Sequence, residues 1–250
     1  MATTHNPNPT LVEAYVEFWF DPPDGTEWDS FVVPRFFKKV AAKFPIRKRV
    51  ESVRVDAGMA TSIDPSQIAP NGSPTPSYHF FSQDKRSLVQ LGENLLVVNY
   101  STPYPGWKAV QTNVIECFEL YVKLWKPETV VRAGLHYIDR LDLPEDEDGL
   151  EKYLNVLPNL PNFPDKPATN VSMCYEVAGA EEGDVMAVSL RQQPSDSPDG
   201  LTFLFQRDYE AQDAFAPDRN TLWKWLDRAY NYVDRTFQEA VTDDCRNLFK

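Results

Sequence analysis

The stretch RAGLHYIDRLDLP, Arg132 to Pro144, alternates apolar and polar side chains over thirteen residues. Successive side chains of a β-strand point to opposite faces, so this period of two is typical of a half-buried strand. The apolar side is broken only by Asp139. The polar side consists of Arg132, His136, Arg140 and Asp142. We therefore predict a strand from Thr129 to Leu143.

The flanking sequence predicts more strands and three main helices. Leu11 to Phe20 repeats the alternation, and further strands are predicted at 50–55 and in SLVQL, LLVVNYS, NVSMCYEVA, DVMAVSLRQ and LTFLFQRDY. Apolar residues at helical spacing predict two long helices, Gly106 to Trp125 and Asn220 to Val241, and a shorter one from Trp28 to Phe44. GLEKYLNVL predicts a short helix, and the Pro/Ser/Gly-rich run at 63–77 predicts a surface loop.

These elements repeat in the two halves of the chain. Residues 11–126 and 129–241 are each predicted to contain a strand, a helix, three strands and a long helix, packed as one unit. Residues 1–10 are expected to be a disordered tail, and 242–250 a C-terminal tail. The expected fold class is α+β, with two similar β-α-βββ-α halves that form curved antiparallel sheet covered by the two long helices.

Composition limits the partners and the compartment. The formal net charge of −12 opposes direct binding to nucleic acid, which depends on Lys and Arg contacts to phosphates. No apolar run approaches the roughly 18 residues of a membrane span, and the N-terminus does not resemble a signal peptide. Three widely spaced cysteines indicate no disulfide framework, and we expect Cys117 and Cys174 to be free, packed thiols. The expected location is the cytoplasm.

The common catalytic and cofactor motifs are missing from the sequence. It contains no GxxxxGK[ST], GxGxxG, GxSxG or HExxH pattern. Only three histidines are present, too few for an obvious metal site. We therefore predict no cofactor, no metal and no catalytic residue, and whether the protein is an enzyme stays open, with a non-enzyme favoured.

Several pieces of sequence, taken in order, carry a family resemblance. They are NPTLVEAYVEFWF, FFSQDKRSLVQLGENLLVVNY, YPGW, VRAGLHYIDRLDLP and LDRAYNYVDRTFQEAVTDDCRNLF. Together they resemble a sporadically distributed family of uncharacterised bacterial and archaeal proteins of about this length. That family more often has arginine at the position of His136 and asparagine at that of Asp139. The resemblance implies no catalytic residues, and a scattered distribution is typical of accessory or defence-associated genes.

The candidate site combines the polar faces of two predicted strands. Glu13 and Glu17 share one face of the first strand, while Arg132, His136 and Arg140 share one face of the strand in the second half. If these strands pair, the opposite charges form a structural ion-pair ladder. The same residues could instead line a groove in which the arginines bind a phosphate or carboxylate.

A second candidate is the aromatic segment STPYPGW, where Tyr104 and Trp107 could form a binding loop. As the entry to a helix, the same residues could equally pack in the core.

Two functions follow from these alternatives. The first is a non-enzymatic binding protein of a prokaryotic accessory or defence-type gene cassette, whose partner is another protein. The second is an enzyme that binds a small ligand or nucleotide on the polar strand faces around Arg132, His136 and Arg140. A sheet face sealed by ion pairs favours the first function, and a pocket where the faces converge favours the second.

Overall fold

The computed structural model describes residues 10–21, 23, 28–52, 75–145, 149–157, 170–198 and 200–249. Within these ranges the chain forms nine strands and four α-helices, and one turn of 3-10 helix at Leu150–Lys152. In chain order they are β1 (Leu11–Asp21), α1 (Trp28–Val40), β2 (Ile46–Ser52), β3 (Thr75–Phe81), β4 (Ser87–Leu91), β5 (Leu95–Ser101), α2 (Trp107–Trp125), β6 (Thr129–Pro144), β7 (Ser172–Ala178), β8 (Asp184–Gln193), β9 (Gly200–Ala211), α3 (Arg219–Ala240) and α4 (Asp243–Asn247).

All nine strands belong to one antiparallel sheet, in the order β2-β3-β4-β5-β1-β6-β9-β8-β7. The central pair is β1 and β6, in which Tyr15 lies opposite His136 and Glu17 opposite Gly134. This pair joins the N-terminal and C-terminal parts of the chain into one sheet. The α+β class with an antiparallel sheet, predicted from the alternating strands and amphipathic helices, is confirmed.

The helices α1, α2 and α3 cover one face of the sheet. Phe18 of β1 contacts Phe118 of α2 and Trp225 of α3, with ring centroids 4.9 Å and 6.1 Å apart. Further out, Phe36 of α1 stacks on Phe80 of β3. All five rings are buried, so the apolar side of each strand and the apolar stripe of each helix form one core.

The first half contains a strand that the sequence did not predict. Residues 63–77 were expected to form a loop, but β3 begins at Thr75 and lies between β2 and β4. Its first three residues, TPS, are typical of turns. Its alternating pattern is short, because only Tyr78 and Phe80 are buried apolar residues. The first half therefore has four strands after its first helix rather than three.

The second half differs from the prediction in its first helix. GLEKYLNVL was expected to be helical, but only the 3-10 turn at Leu150–Lys152 forms. The chain then leaves helical geometry because Leu154 makes a β-bridge with Val241. In the first half, helix α1 ends at Val40, before the predicted Phe44. The two halves consequently do not have identical element orders.

The structure describes only the last residue of the predicted N-terminal tail but most of the predicted C-terminal tail. Most of the expected N-terminal tail, residues 1–9, lies outside the described residues, whereas Thr10 is buried and donates a hydrogen bond to Asp139. The expected C-terminal tail contains α4, whose Cys245 is buried. Much of the loop predicted at 63–77 and the Pro-rich residues 158–169 before β7 also lie outside the described ranges.

The cysteine prediction is half right. All three cysteines are free, and Cys117 is buried in α2. Cys174 was predicted to be packed but is exposed, because β7 is an edge strand of the sheet. No helix of the described chain is long and apolar enough to cross a membrane.

Candidate functional site

The candidate site lies on the sheet face opposite α1, α2 and α3, which we call the open face. In the central strands, strand register places the following residues on this face: Val97 and Asn99 of β5; Glu13, Tyr15, Glu17 and Trp19 of β1; Arg132, Gly134, His136, Ile138 and Arg140 of β6; and Leu204, Gln206, Asp208 and Glu210 of β9. Because β1 and β6 are neighbours, the two predicted polar faces lie side by side.

His136 is at the centre of the open face and is only 4% exposed. Tyr15 of the neighbouring strand stacks on the imidazole, with ring centroids 4.2 Å apart and 12° between the planes. On the other side, Nδ1 of His136 lies 2.7 Å from Oδ1 of Asp208. Gly134 leaves room for the ring, since a Cβ at this position would collide with Nε2. The register and a glycine thus bury a histidine on a face that no described helix covers.

The charges around His136 keep it protonated. Burial lowers the pKa of the imidazole, but the carboxylates of Asp208 and Glu17 outweigh it and raise the pKa to about 9. Nε2 of His136 lies 3.7 Å from Oε1 of Glu17, within ion-pair distance but beyond hydrogen-bond length. Burial raises the pKa of Glu17, yet His136 and Arg132 hold it below its usual value. At neutral pH the site is therefore an imidazolium between two carboxylates.

Arg132 extends the cluster along β6. Its Nη2 lies 2.7 Å from Oε1 of Glu210 and 3.6 Å from Oε1 of Glu17. Glu17 therefore lies between two cations, Arg132 and His136. The five charged groups are two cations and three carboxylates, so the cluster has a formal charge of −1.

Two predicted site residues lie on the open face but outside this cluster. The side chain of Glu13 accepts a hydrogen bond from Asn99 of β5. Arg140 contacts Asp142 at 3.0 Å and Asp196 at 2.6 Å, several residues along β6 from His136. The structure thus brings together Glu17, Arg132 and His136, but not Glu13 or Arg140.

The predicted aromatic loop is part of the packing between α2, α3 and β6. Tyr104 is 4% exposed, and its hydroxyl lies 2.5 Å from that of Tyr137 in β6. Trp107 stacks on Tyr230 of α3, with centroids 4.6 Å apart and an angle of 4° between the rings. These contacts support helix packing rather than an open binding loop.

Asp139, which interrupts the apolar side of β6, forms a buried ion pair with Arg207 of β9. Both residues point toward the helices, and each is 3% exposed or less. His136 and Asp139 are an odd number of positions apart, so their side chains occupy opposite faces and do not pair directly. Arg207 was not predicted from the sequence, although it similarly interrupts the apolar side of its strand between Phe205 and Tyr209.

The open-face partners on β9 were missed as well. Gln206, Asp208 and Glu210 alternate with residues that are apolar except for Arg207, and this pattern marks them as one polar face. Their proximity to His136 depends on the pairing of β6 with β9, two strands that are separated by more than fifty residues in the chain. Alternation could identify the face, but only the strand order identifies the partner.

His136 is poorly suited to act as a general base. A general base must be unprotonated near the working pH, whereas His136 has a raised pKa and its Nδ1 is engaged by Asp208. Among the residues that the structure describes, no three His, Cys, Asp or Glu side chains are arranged to hold a metal ion. What the cluster can do is hold charges in a fixed pattern on a sheet surface.

No protein-family model matches the sequence, and comparison with curated proteins finds no significant match either.

Proposed function

We propose that this protein is a non-enzymatic binding protein, and that its open face contacts another protein. The supporting observation is the composition of that face, where half-buried apolar side chains surround a cluster of paired charges. Tyr15, Trp19, Val97, Ile138 and Leu204 supply the apolar part. Aromatic side chains and Arg are enriched at protein interfaces, and direct hydrogen bonds accompany the apolar contacts there.

The dimensions of the sheet fit such a partner. Nine strands at a spacing of about 4.8 Å span about 38 Å, and strands about 20 Å long give an area of nearly 800 Å². A standard protein interface buries about 800 Å² on each partner. The described helices lie on the other face, so they do not compete for this surface.

Charge indicates the chemistry of the partner. The protein has a net charge of −12, and the central cluster keeps one uncompensated negative charge. A partner surface with a few Lys or Arg residues would be attracted over long range and could neutralise this charge on contact. An acidic partner, including nucleic acid, would be repelled.

The alternative, an enzyme that binds a nucleotide or other small ligand on the same face, has less support. Arg132 and His136, which would bind the ligand, are already paired with carboxylates. A phosphate or carboxylate would have to displace Glu210 or Asp208. Such a ligand would raise the melting temperature of the wild type but not of Arg132→Ala, and a panel of nucleotides, phosphates and carboxylates tests this directly.

The proposal also includes an internal duplication and a prokaryotic accessory role. Outward from the centre, β1 is followed by β5, β4 and β3, and β6 by β9, β8 and β7, with β2 as an extra edge strand. The helices α2 and α3 follow corresponding strands, which supports two related halves.

The free cysteines suit a reducing cytoplasm. The family resemblance suits an accessory or defence-type cassette, and identifying the neighbouring genes tests this role.

Site-specific photo-cross-linking in the native host tests the interface. A photoreactive amino acid at Leu204 on the open face should form an adduct with one discrete protein, identified by mass spectrometry. The matched control is the same amino acid at Trp223 of α3, which is 47% exposed on the helix side. An adduct at Trp223 alone, or none at Leu204, would count against the open face as the interface.

A further inference from the structure

A cavity of about 200 Å³ lies on the other side of the sheet, beneath α3 and the C-terminal segment. Its lining includes Asp139, Arg207, Val233, Phe237, Val241 and Phe249. These residues come from β6, β9, α3 and the end of the chain, so the cavity is distinct from the open face. The other four residues of this set are apolar, and Thr10, Gln238 and the oppositely charged Asp234 and Arg246 add polar groups to the lining.

Within the described residues, the guanidinium of Arg207 at this cavity uses two of its three nitrogens as hydrogen-bond donors. Its Nη2 donates to Asp139, and its Nη1 donates to the backbone carbonyl of Val233 at 3.1 Å. The ring of Phe237 lies under the guanidinium, 4.8 Å from the charged carbon. Nε has no hydrogen-bond partner in the described part of the chain, although the residue is only 3% exposed.

Packing alone does not account for this arrangement. A buried donor without a partner is destabilising, and apolar residues of similar size often stabilise a core as well as a buried ion pair does. A charged pair that borders a cavity and keeps an unused N–H is instead suited to recognise a bound molecule. Small-molecule sites typically combine apolar walls with a few polar groups in this way.

We propose that the cavity binds a small uncharged organic molecule with a ring-sized apolar body and one carbonyl or hydroxyl oxygen. The oxygen accepts a hydrogen bond from Nε of Arg207, and the ring packs against Phe237 and Val233. This inference does not depend on the proposed protein partner, because the two surfaces lie on opposite sides of the sheet.

The size of the ligand follows from the volume. An apolar cavity of about 150 Å³ holds benzene, so about 200 Å³ accommodates a ring with a substituent of two or three heavy atoms. Its neutrality follows from the charges. Asp139 already balances Arg207, and the other charged lining residues, Asp234 and Arg246, also cancel. A carboxylate would therefore add an unbalanced negative charge in a buried site.

NMR titration with three probes tests the proposal. Acetophenone has the required ring and carbonyl, isopropylbenzene has the same number of heavy atoms without the oxygen, and benzoate carries a charge. We expect acetophenone to bind and to shift the Nε–H signal of Arg207 downfield. Isopropylbenzene should leave that signal in place, and benzoate should bind at least about tenfold more weakly than acetophenone, a difference of about 1.4 kcal/mol.

A cavity-filling variant provides the second arm. Val233→Phe should abolish acetophenone binding, whereas Val131→Phe makes the same change at a position 42% exposed and should bind normally. The proposal fails if acetophenone does not bind, if it binds without moving the Arg207 signal, or if benzoate binds more tightly. Binding retained in folded Val233→Phe would also overturn it. The wild-type Arg207 signal decides the matter even if Val233→Phe does not fold.

Discussion

Removing His136 should change how the stability of the protein depends on pH. In the folded protein, the carboxylates of Asp208 and Glu17 overcome burial and raise the pKa of His136 from 6.5 to about 9. A group with a raised pKa in the folded state stabilises that state fully below its unfolded pKa. This stabilisation is lost as the pH rises through the folded pKa. The wild type should therefore lose stability between about pH 6.5 and pH 9.

The magnitude follows from the shift. One pKa unit corresponds to 1.36 kcal/mol, so a rise from 6.5 to about 9 corresponds to roughly 3 kcal/mol of the free energy of unfolding. This is a large part of the 5–15 kcal/mol that is typical of globular proteins. His136→Gln keeps a polar side chain of similar size but cannot titrate, so its stability should lack this pH-dependent contribution.

The assay is urea unfolding followed by tryptophan fluorescence at several pH values, with the variant subtracted from the wild type. His79→Gln is the matched control, because burial and Lys48 lower the pKa of His79. A lowered histidine pKa affects stability only as the pH falls toward and below 6.5, so this variant should retain the wild-type slope above pH 7. A difference between wild type and His136→Gln that stays constant from pH 6.5 to pH 9 would refute the reasoning.

Three further predictions concern the buried ion pair, the surroundings of His136 and the cysteines. Arg207→Met should lower the free energy of unfolding by about 3–5 kcal/mol because it leaves Asp139 buried and unpaired, and adding Asp139→Asn should recover most of this loss in the same urea assay. Gly134→Ala should push the ring of His136 away from its carboxylate partner, and an NMR titration should show the pKa of His136 falling toward 6.5. Native alkylation followed by mass spectrometry should label Cys174 alone, since the other two thiols are buried and burial raises their pKa values to about 12 and about 11; labelling of all three at equal rates would contradict this.

The parts of the fold that the sequence predicted best are those with an unbroken period. Leu11 to Phe20 and Thr129 to Leu143 alternate clearly, and both form strands close to the predicted bounds. β3 was missed because its signal is short and begins with residues typical of turns. Pairing with β2 on one side and β4 on the other stabilises β3. This pairing cannot be predicted from the sequence of β3 alone.

The candidate site was partly predictable for the same reason. Period two placed Glu17, Arg132 and His136 on polar strand faces, and the pairing of β1 with β6 brings them together. Asp208 required knowledge that β6 also pairs with β9. Asp139 and Arg207 are each visible in the sequence as a charged residue on an otherwise apolar strand face. That the two form a pair follows only from the register between β6 and β9.

The most direct test of the proposed function is a calorimetric titration of the purified partner that cross-linking identifies. Leu204→Glu puts a charge in the apolar part of the open face, whereas Trp223→Glu puts one on the helix side. Burying the unpaired carboxylate in an interface should cost more than about 1.4 kcal/mol, so Leu204→Glu should weaken binding at least about tenfold. Trp223→Glu should bind like the wild type. If Leu204→Glu binds normally while Trp223→Glu does not, the partner contacts the helices and the open face is not the interface.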